Sequence, residues 1–312
     1  QYARQFFEPI RNLSDQYNTL QSAMAGAERI FGLLDRDEAL PETDDPVPVE
    51  RFNGRLEFKN VWFTYEELPA DWAEDGTEPN WILRDVSFTI EPGQSAAIVG
   101  ATGAGKTTII SLLLRFYDIQ NGQILIDGVD IQRYALRDLR RHIGLVLQDV
   151  FLFSGSVERN LTLEDPTVTQ KQVTDAAELV GADRFIDRLP QKYQQDVRER
   201  GASLSHGQRQ LLSFVRALVY DPEVLVLDEA TSSVDTETEH IIQEALEKLL
   251  EGRTSLVIAH RLSTIRHADQ ILVMHKGCLR ERGNHDELLA QEGLYRKLYE
   301  LQYKEQEQRL VA

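Results

Sequence analysis

The 312 residues include one cysteine, two methionines and no apolar run approaching the roughly 18 to 20 residues that cross a bilayer. The lone cysteine, Cys278, excludes an internal disulfide and suits a reducing compartment; it follows Lys276-Gly277 and is expected in a turn, in a structural role. Bases are outnumbered by acids, 34 to 51, for a net charge of −17. A surface that acidic repels phosphate backbones, so nucleic acid is not expected as the main partner. No secretory signal opens the chain, and its start at Gln1 rather than methionine reads as a piece of a longer protein. The remaining composition, 42% hydrophobic and 27% charged, is that of a globular protein with room for one large or two ordinary domains.

Gly100-Ala101-Thr102-Gly103-Ala104-Gly105-Lys106-Thr107 fits Gly-x4-Gly-Lys-[Ser/Thr], the pattern of a phosphate-binding loop. Ser95 to Val99 before it reads as a buried strand, and Thr107 to Phe116 after it as a helix. Successive N–H groups of such a loop face an anion at the positive end of the helix dipole. Lys106 would reach the β- and γ-phosphates and the Thr107 hydroxyl would bind Mg²⁺, within a nucleotide-binding set running from Gly100 to Thr108. The alternative, a plain Gly-rich strand-to-helix turn, fits the residue types less well.

Around this loop the chain divides into recognisable stretches. Residues 1–34 carry apolar residues at alternating spacings of four and three (Phe6, Ile10, Leu13, Tyr17, Leu20, Met24, Ala27, Phe31, Leu34), an amphipathic helix that Pro9 is expected to kink or to start. Residues 35–53 are acidic and Pro-rich, hence a linker. Leu56 to Tyr65 and Trp81 to Ile90 have strand composition, and the acidic segment between them, Glu66 to Asn80, reads as an exposed loop. Short apolar strands recur at Ile143–Leu147, Val224–Leu227, Ser255–Ile258 and Ile271–Met274, separated by helical stretches, which predicts a mostly parallel sheet covered on both faces. About 149–207 reads as a separate helical lobe.

Val224-Leu-Val-Leu-Asp228-Glu229 is an apolar strand ending in two acids, at the strand end where ligands of such sheets gather. There Asp228 would hold Mg²⁺ through water and Glu229 would polarise the water attacking the γ-phosphate. Leu204-Ser205-His206-Gly207-Gln208 runs into an amphipathic pattern, Arg209 to Leu218. Ser205 suits a helix N-cap there, or a second anion site for phosphates supplied by another subunit. His260, closing the strand Ser255 to Ala259, is placed to donate to a γ-phosphate, and Gln148, ending Ile143 to Leu147, to reach Mg²⁺ or the attacking water.

In this order the motifs resemble the nucleotide-binding domain of an ATP-binding cassette (ABC) transporter: Tyr65 as adenine platform, Gly100 to Thr107 as Walker A, Gln148 as Q-loop, Leu204 to Gln208 as signature, Val224 to Glu229 as Walker B, Ser232 to Asp235 as D-loop and His260 as H-loop. The resemblance covers residues 54–295 and implies an α/β P-loop NTPase core with an antiparallel β subdomain and an α-helical subdomain, preceded by a long N-terminal helix and followed by a helical tail at 296–312. It implies that Tyr65 stacks on adenine, that ATP and Mg²⁺ are the cofactors, and that Gln148 also ligates the metal. It further implies head-to-tail closure with a second cassette, in which Ser205 and Gly207 serve the partner's ATP. The stretch Gln148 to Asn160 is similar to the exporter segment that meets the coupling helices of the transmembrane domains, and Asp196 to Gly201, with Glu199, to the exporter X-loop. Residues 1–34 are similar to the cytoplasmic end of an exporter's last transmembrane helix. By this resemblance membrane attachment would come through preceding helices, with the domain on the cytoplasmic face of the cell membrane.

The family signature is usually Leu-Ser-Gly-Gly-Gln, and here His206 replaces its first glycine while Glu229 is retained. The resemblance links that combination to one half of a heterodimeric exporter. The alternatives are a homodimeric exporter and a soluble ABC ATPase acting on nucleic acid or ribosomes.

Overall fold

The computed structural model describes residues 2–36, 40–68, 79–228, 236–259 and 261–303, and divides into two units, Gln1–Pro41 and Glu42–Ala312. In the first unit a single helix, α1 (Tyr2–Leu34), runs through Pro9 without ending there. Proline removes one intrahelical donor, and here that loss does not terminate the helix. Phe6, Ile10, Leu13, Tyr17, Leu20, Met24, Phe31 and Leu34 of its apolar seam are exposed within this chain.

The second unit holds two sheets. Strands β1 (Leu56–Phe63), β2 (Leu83–Ile90), β4 (Asn121–Ile126) and β5 (Val129–Asp130) form an antiparallel sheet in the order β2-β1-β4-β5. The other, in the order β10-β9-β3-β8-β7-β6, comprises β3 (Ser95–Val99), β6 (Ile143–Val146), β7 (Val224–Asp228), β8 (Thr254–Ile258), β9 (Gln270–His275) and β10 (Cys278–Gly283). Its pairings are parallel except at β10. The parallel strands are buried on both faces, which is why β3, β7 and β8 read as continuous apolar runs rather than alternating ones. Ala96, Ile98, Val224, Val226, Leu256 and Ile258 point into one apolar cluster with β1 and α2 (Lys106–Leu113); Ala97, Val99, Leu225, Leu227 and Val257 point into the other, with the helical lobe.

That lobe contains α4 (Val157–Thr162), α5 (Gln170–Val180) and α6 (Asp183–Ile186) and leads into α7 (His206–Leu218); α3 (Leu136–Arg141) precedes β6. Ser156, Thr169 and Ser205 cap α4, α5 and α7 through their side chains. The remaining helices are α8 (Thr236–Leu250), α9 (Leu262–His267), α10 (His285–Ala290) and α11 (Leu294–Leu298).

Several expectations are corrected. Cys278 opens strand β10 after the Lys276-Gly277 turn instead of lying in that turn; β10 is a charged edge strand without an apolar run to announce it. The helix after the phosphate loop stops at Leu113, three residues short of Phe116, because Arg115 turns into the left-handed region (φ 49°) and the Phe116 N–H bonds back to the Ser111 carbonyl at 2.8 Å.

The second half of the 35–53 linker is fastened to the core. The Val47 N–H donates to the Arg133 carbonyl at 2.9 Å, and buried Phe52 lies edge-on to Tyr134 and His142 at 5.2 and 5.1 Å. Arg51 pairs with Glu223 at 2.9 Å, and the Asp127 carboxylate accepts from the N–H groups of Asn53 and Arg55 at 2.7 and 2.9 Å.

Candidate active site

The register of the parallel strands brings the sequence-predicted residues of the core to one edge. Asp228 pairs with Ile258, Ile258 with Ile98, and Val146 with Leu227. The chain therefore leaves β3 into Gly100, ends β7 at Asp228 and leaves β6 toward Gln148, all at the carboxyl ends of neighbouring strands. Gln148 is exposed there.

The loop between β3 and α2 fits tightly against its surroundings from below. A Cβ at Gly100 would collide with the Met274 carbonyl, and one at Gly105 would lie 2.6 Å from Leu83 Cδ2, with the Gly105 backbone itself left-handed (φ 96°). The Gly277 N–H donates to the Ala104 carbonyl at 3.2 Å, so the β9–β10 hairpin supports the loop's underside. On its outer side Ala101, Thr102, Gly103 and Thr107 are exposed. Gly105 supplies no side-chain cap to α2, so the first-turn N–H groups of that helix are left as anion donors.

Lys106 folds back over the loop, its Nζ donating to the carbonyls of Gly100 at 2.8 Å and Ala101 at 3.1 Å. Burial lowers its pKa below the ordinary lysine value, and the Asp228 carboxylate opposes that shift by favouring the ammonium form. Thr108, by contrast with exposed Thr107, is buried.

Tyr65 lies just past β1, half exposed, with its hydroxyl 3.2 Å from Thr108 Oγ1. Its ring meets Phe63 and Tyr117 edge to face at 4.8 and 5.0 Å. Two residues that sequence reasoning passed over hold it. Tyr117 is one, and Gln120 is the other, accepting from the Thr64 N–H and donating to the Thr64 carbonyl at 3.0 Å each. Neither belongs to a motif; the only signal was an aromatic and an amide shortly after the predicted helix.

The signature stretch lies in a different layer, at the start of α7, which packs on α4, α5, α8 and β6. Leu204 and Gly207 are buried, His206 is half-buried as the first helical residue, and Ser205 is exposed. Ser205 Oγ accepts from the Gln208 N–H at 3.2 Å while Gln208 Oε1 accepts from the Ser205 N–H at 2.9 Å, a reciprocal cap. The hydroxyl proton of Ser205 is not used in that cap. Glu229, the stretch from Ser232 to Asp235 and His260 lie outside the described residues; Asp228 and Ala259 are their nearest described chain neighbours on this edge.

An ABC transporter family pattern matches residues 83–232, which include the loop, Gln148, the start of α7 and β7. The chain is 47% identical over 96% of its length to a probable multidrug resistance ABC transporter ATP-binding/permease protein, YheH, of Bacillus subtilis, covering 43% of that protein. It is 49% identical over 95% of its length to a fatty acid ABC transporter ATP-binding/permease protein of Mycobacterium bovis, covering 45% of it. Among solved structures, a bacterial Atm1-family ABC exporter with ATP bound is similar over 97% of this chain and 51% of that one, at 37% identity and a TM-score of 0.77. The chain thus spans less than half the length of both curated relatives. By pattern, relatives and fold together, the chain belongs to the ABC transporter family and carries its ATP-binding domain.

Proposed function

We propose that this chain binds and hydrolyses ATP to power export across a membrane, as the ATP-binding part of a longer exporter subunit whose 54–295 region is the nucleotide-binding domain. The observation that carries the reading is the uncapped N-terminus of α2 beneath an exposed loop, with the Lys106 ammonium folded over it on the strand edge that ends in Asp228. Backbone donors and a cation converging on one point suit a polyphosphate.

The residues present also fit Mg²⁺. The exposed Thr107 hydroxyl, the Asp228 carboxylate at the end of β7 and the Gln148 amide beyond β6 are all oxygen donors, with few carboxylates, as that hard cation prefers. The ion, when bound, offsets charge on the phosphate oxygens. In this assignment Gly100 to Thr108 cradle the phosphates, Lys106 neutralises developing charge, and Tyr65 stacks on the adenine. Glu229 polarises the water for in-line attack, while Gln148 and His260 sense the γ-phosphate and Asp235 lines the seam between two cassettes.

The start of α7 then serves a second nucleotide-binding domain, which places its ATP against Ser205 and Gly207. Coupling helices of transmembrane domains dock on the 148–160 stretch, on the cytoplasmic face of the cell membrane. Retained Glu229 beside altered His206 favours a heterodimeric half. The homodimer is favoured instead by the intact Ser205–Gln208 cap, which keeps the altered signature at a well-formed helix start. The names of relatives, multidrug and fatty acid transporters, point to amphipathic cargo.

Glu229→Gln separates these readings. It is expected to retain ATP binding and to lose phosphate release by about a hundredfold or more, the scale of losing a catalytic base. Unchanged turnover would remove Glu229 from its role. Sedimentation of the same variant with Mg-ATP then tests pairing: an ATP-dependent dimer of this chain alone supports the homodimer, and a monomer that binds ATP supports a different partner.

A further inference from the structure

Tyr65 stands past the end of β1, where the partner of the backbone changes from a strand to a side chain. Trp62 is still paired with Asn121 of β4, and the Gln120 N–H donates to the Trp62 carbonyl at 3.3 Å. At Thr64 the Gln120 amide takes over, its Oε1 accepting from the N–H and its Nε2 donating to the carbonyl at 3.0 Å each. Thr64 is buried, so its backbone groups need partners from within the protein, and one amide serves both as a neighbouring strand would. Thr64 Oγ1 in turn accepts from the Glu66 N–H at 3.2 Å. Both chain neighbours of Tyr65 are thus held while its ring stays half exposed.

The turn that delivers Gln120 is itself fastened. Arg140 of α3 donates through Nε to the Leu114 carbonyl at 3.1 Å and through Nη2 to the Arg115 carbonyl at 2.8 Å, just past the last turn of α2. Its guanidinium lies over the Phe116 ring, 5.1 Å from the centroid. Buried Arg115 donates to Asp118 Oδ1 at 2.9 Å. Tyr117, set edge-on to Tyr65, belongs to the same turn. These contacts run from the C-terminal end of α2, away from the phosphate loop; only the Tyr65 hydroxyl reaches the first turn, at Thr108.

We propose that Gln120 is a positioning residue for the nucleotide base: by clasping Thr64 it presets the face of Tyr65 on which a purine stacks, and so sets the preference for a nucleotide over a bare triphosphate. A ring ordered before the ligand arrives spares binding the cost of ordering it. The effect on base affinity rests on the stacking assigned to Tyr65 above; the clasp on Thr64 does not.

Binding of ATP and of inorganic tripolyphosphate, each with Mg²⁺, tests it in Gln120→Ala and in Gln120→Glu, which keeps the shape and an acceptor but loses the amide donor. In both variants the Kd for ATP should rise about five- to tenfold, the scale of one or two hydrogen bonds, with that for tripolyphosphate within about twofold. Exchange of the Thr64 amide should rise about tenfold while amides of β3 and β8 keep wild-type rates. In a Tyr65→Ala background Gln120→Ala should change the ATP Kd less than about twofold, since its route to the base is gone. Unchanged Thr64 exchange would overturn the clasp. A loss shared equally by tripolyphosphate, or a full Gln120 effect persisting without the Tyr65 ring, would overturn the base role. A wild-type chain that binds both ligands alike would sink the stacking reading and the base role with it; failure of the proposal alone leaves the wild-type preference for ATP intact.

Discussion

At Lys106, burial lowers the pKa while Asp228 resists the shift. The charged form is the one that neutralises phosphate, so ATP affinity should decline as pH rises through that lowered value, before the ordinary lysine value of 10.5 is reached. Titrating ATP binding from about pH 7 to 10 checks this. Lys106→Arg, always charged, should flatten the alkaline decline, and Lys106→Ala should weaken ATP binding at every pH; an affinity unchanged in the alanine variant would count against the loop assignment. Thr108 extends the argument at the same scale. Its hydroxyl meets Tyr65 rather than open solvent, which ties the ring to the first turn of α2.

Among the elements, α7 shows what a short sequence can disclose. Ser205 with Gln208 three residues on, followed by an amphipathic run, marks a helix start, and the reciprocal cap is there. Ser205→Ala removes the acceptor for the Gln208 N–H and should cost about 0.5–2 kcal/mol by denaturant unfolding. Ser205→Asp should recover the cap but place a negative charge where a phosphate is proposed. Stability restored with turnover still lost would separate the anion role from the cap; turnover restored together with stability would leave Ser205 a cap alone. Strands β3, β7 and β8 were equally legible, because burial on both faces demands unbroken apolar runs. Strands β4 and β10 were not: β4 opens with Asn121-Gly122-Gln123, which leaves only a three-residue apolar run at Ile124-Leu125-Ile126, and β10 strings charges along an edge. The platform under Tyr65 was illegible for a related reason. Gln120 acts through the two backbone groups of Thr64, a contact across 56 positions of sequence that residue type does not announce.

Across the whole second unit, three tyrosines share one electrostatic fate. Burial raises the pKa of Tyr134, Tyr193 and Tyr220 above 10.0. Their folded forms keep protons that the unfolded chain releases, so stability is fully present below that pH and is lost as pH rises beyond it. Lys106 acts in the opposite sense, since its lowered pKa relieves a burial penalty as pH rises toward 10.5. The tyrosine contribution predicts denaturation midpoints that fall above about pH 10. Tyr134→Phe, which loses only the hydroxyl bonded to the Ile126 carbonyl at 3.1 Å, should blunt that fall; an unaltered alkaline slope would exclude Tyr134 as a contributor.

The fastened linker sets a mechanical condition on any such machine. Arg51 and Phe52 grip the core beside Glu223, immediately before β7, and Asn53 is held by Asp127, whereas the phosphate loop begins where β3 ends. Covalent leash and phosphate edge therefore stand at opposite ends of the same parallel strands, about 16 Å apart at 3.3 Å per residue. Tension drawn along residues 47–53 would therefore meet these anchors before it reached the loop.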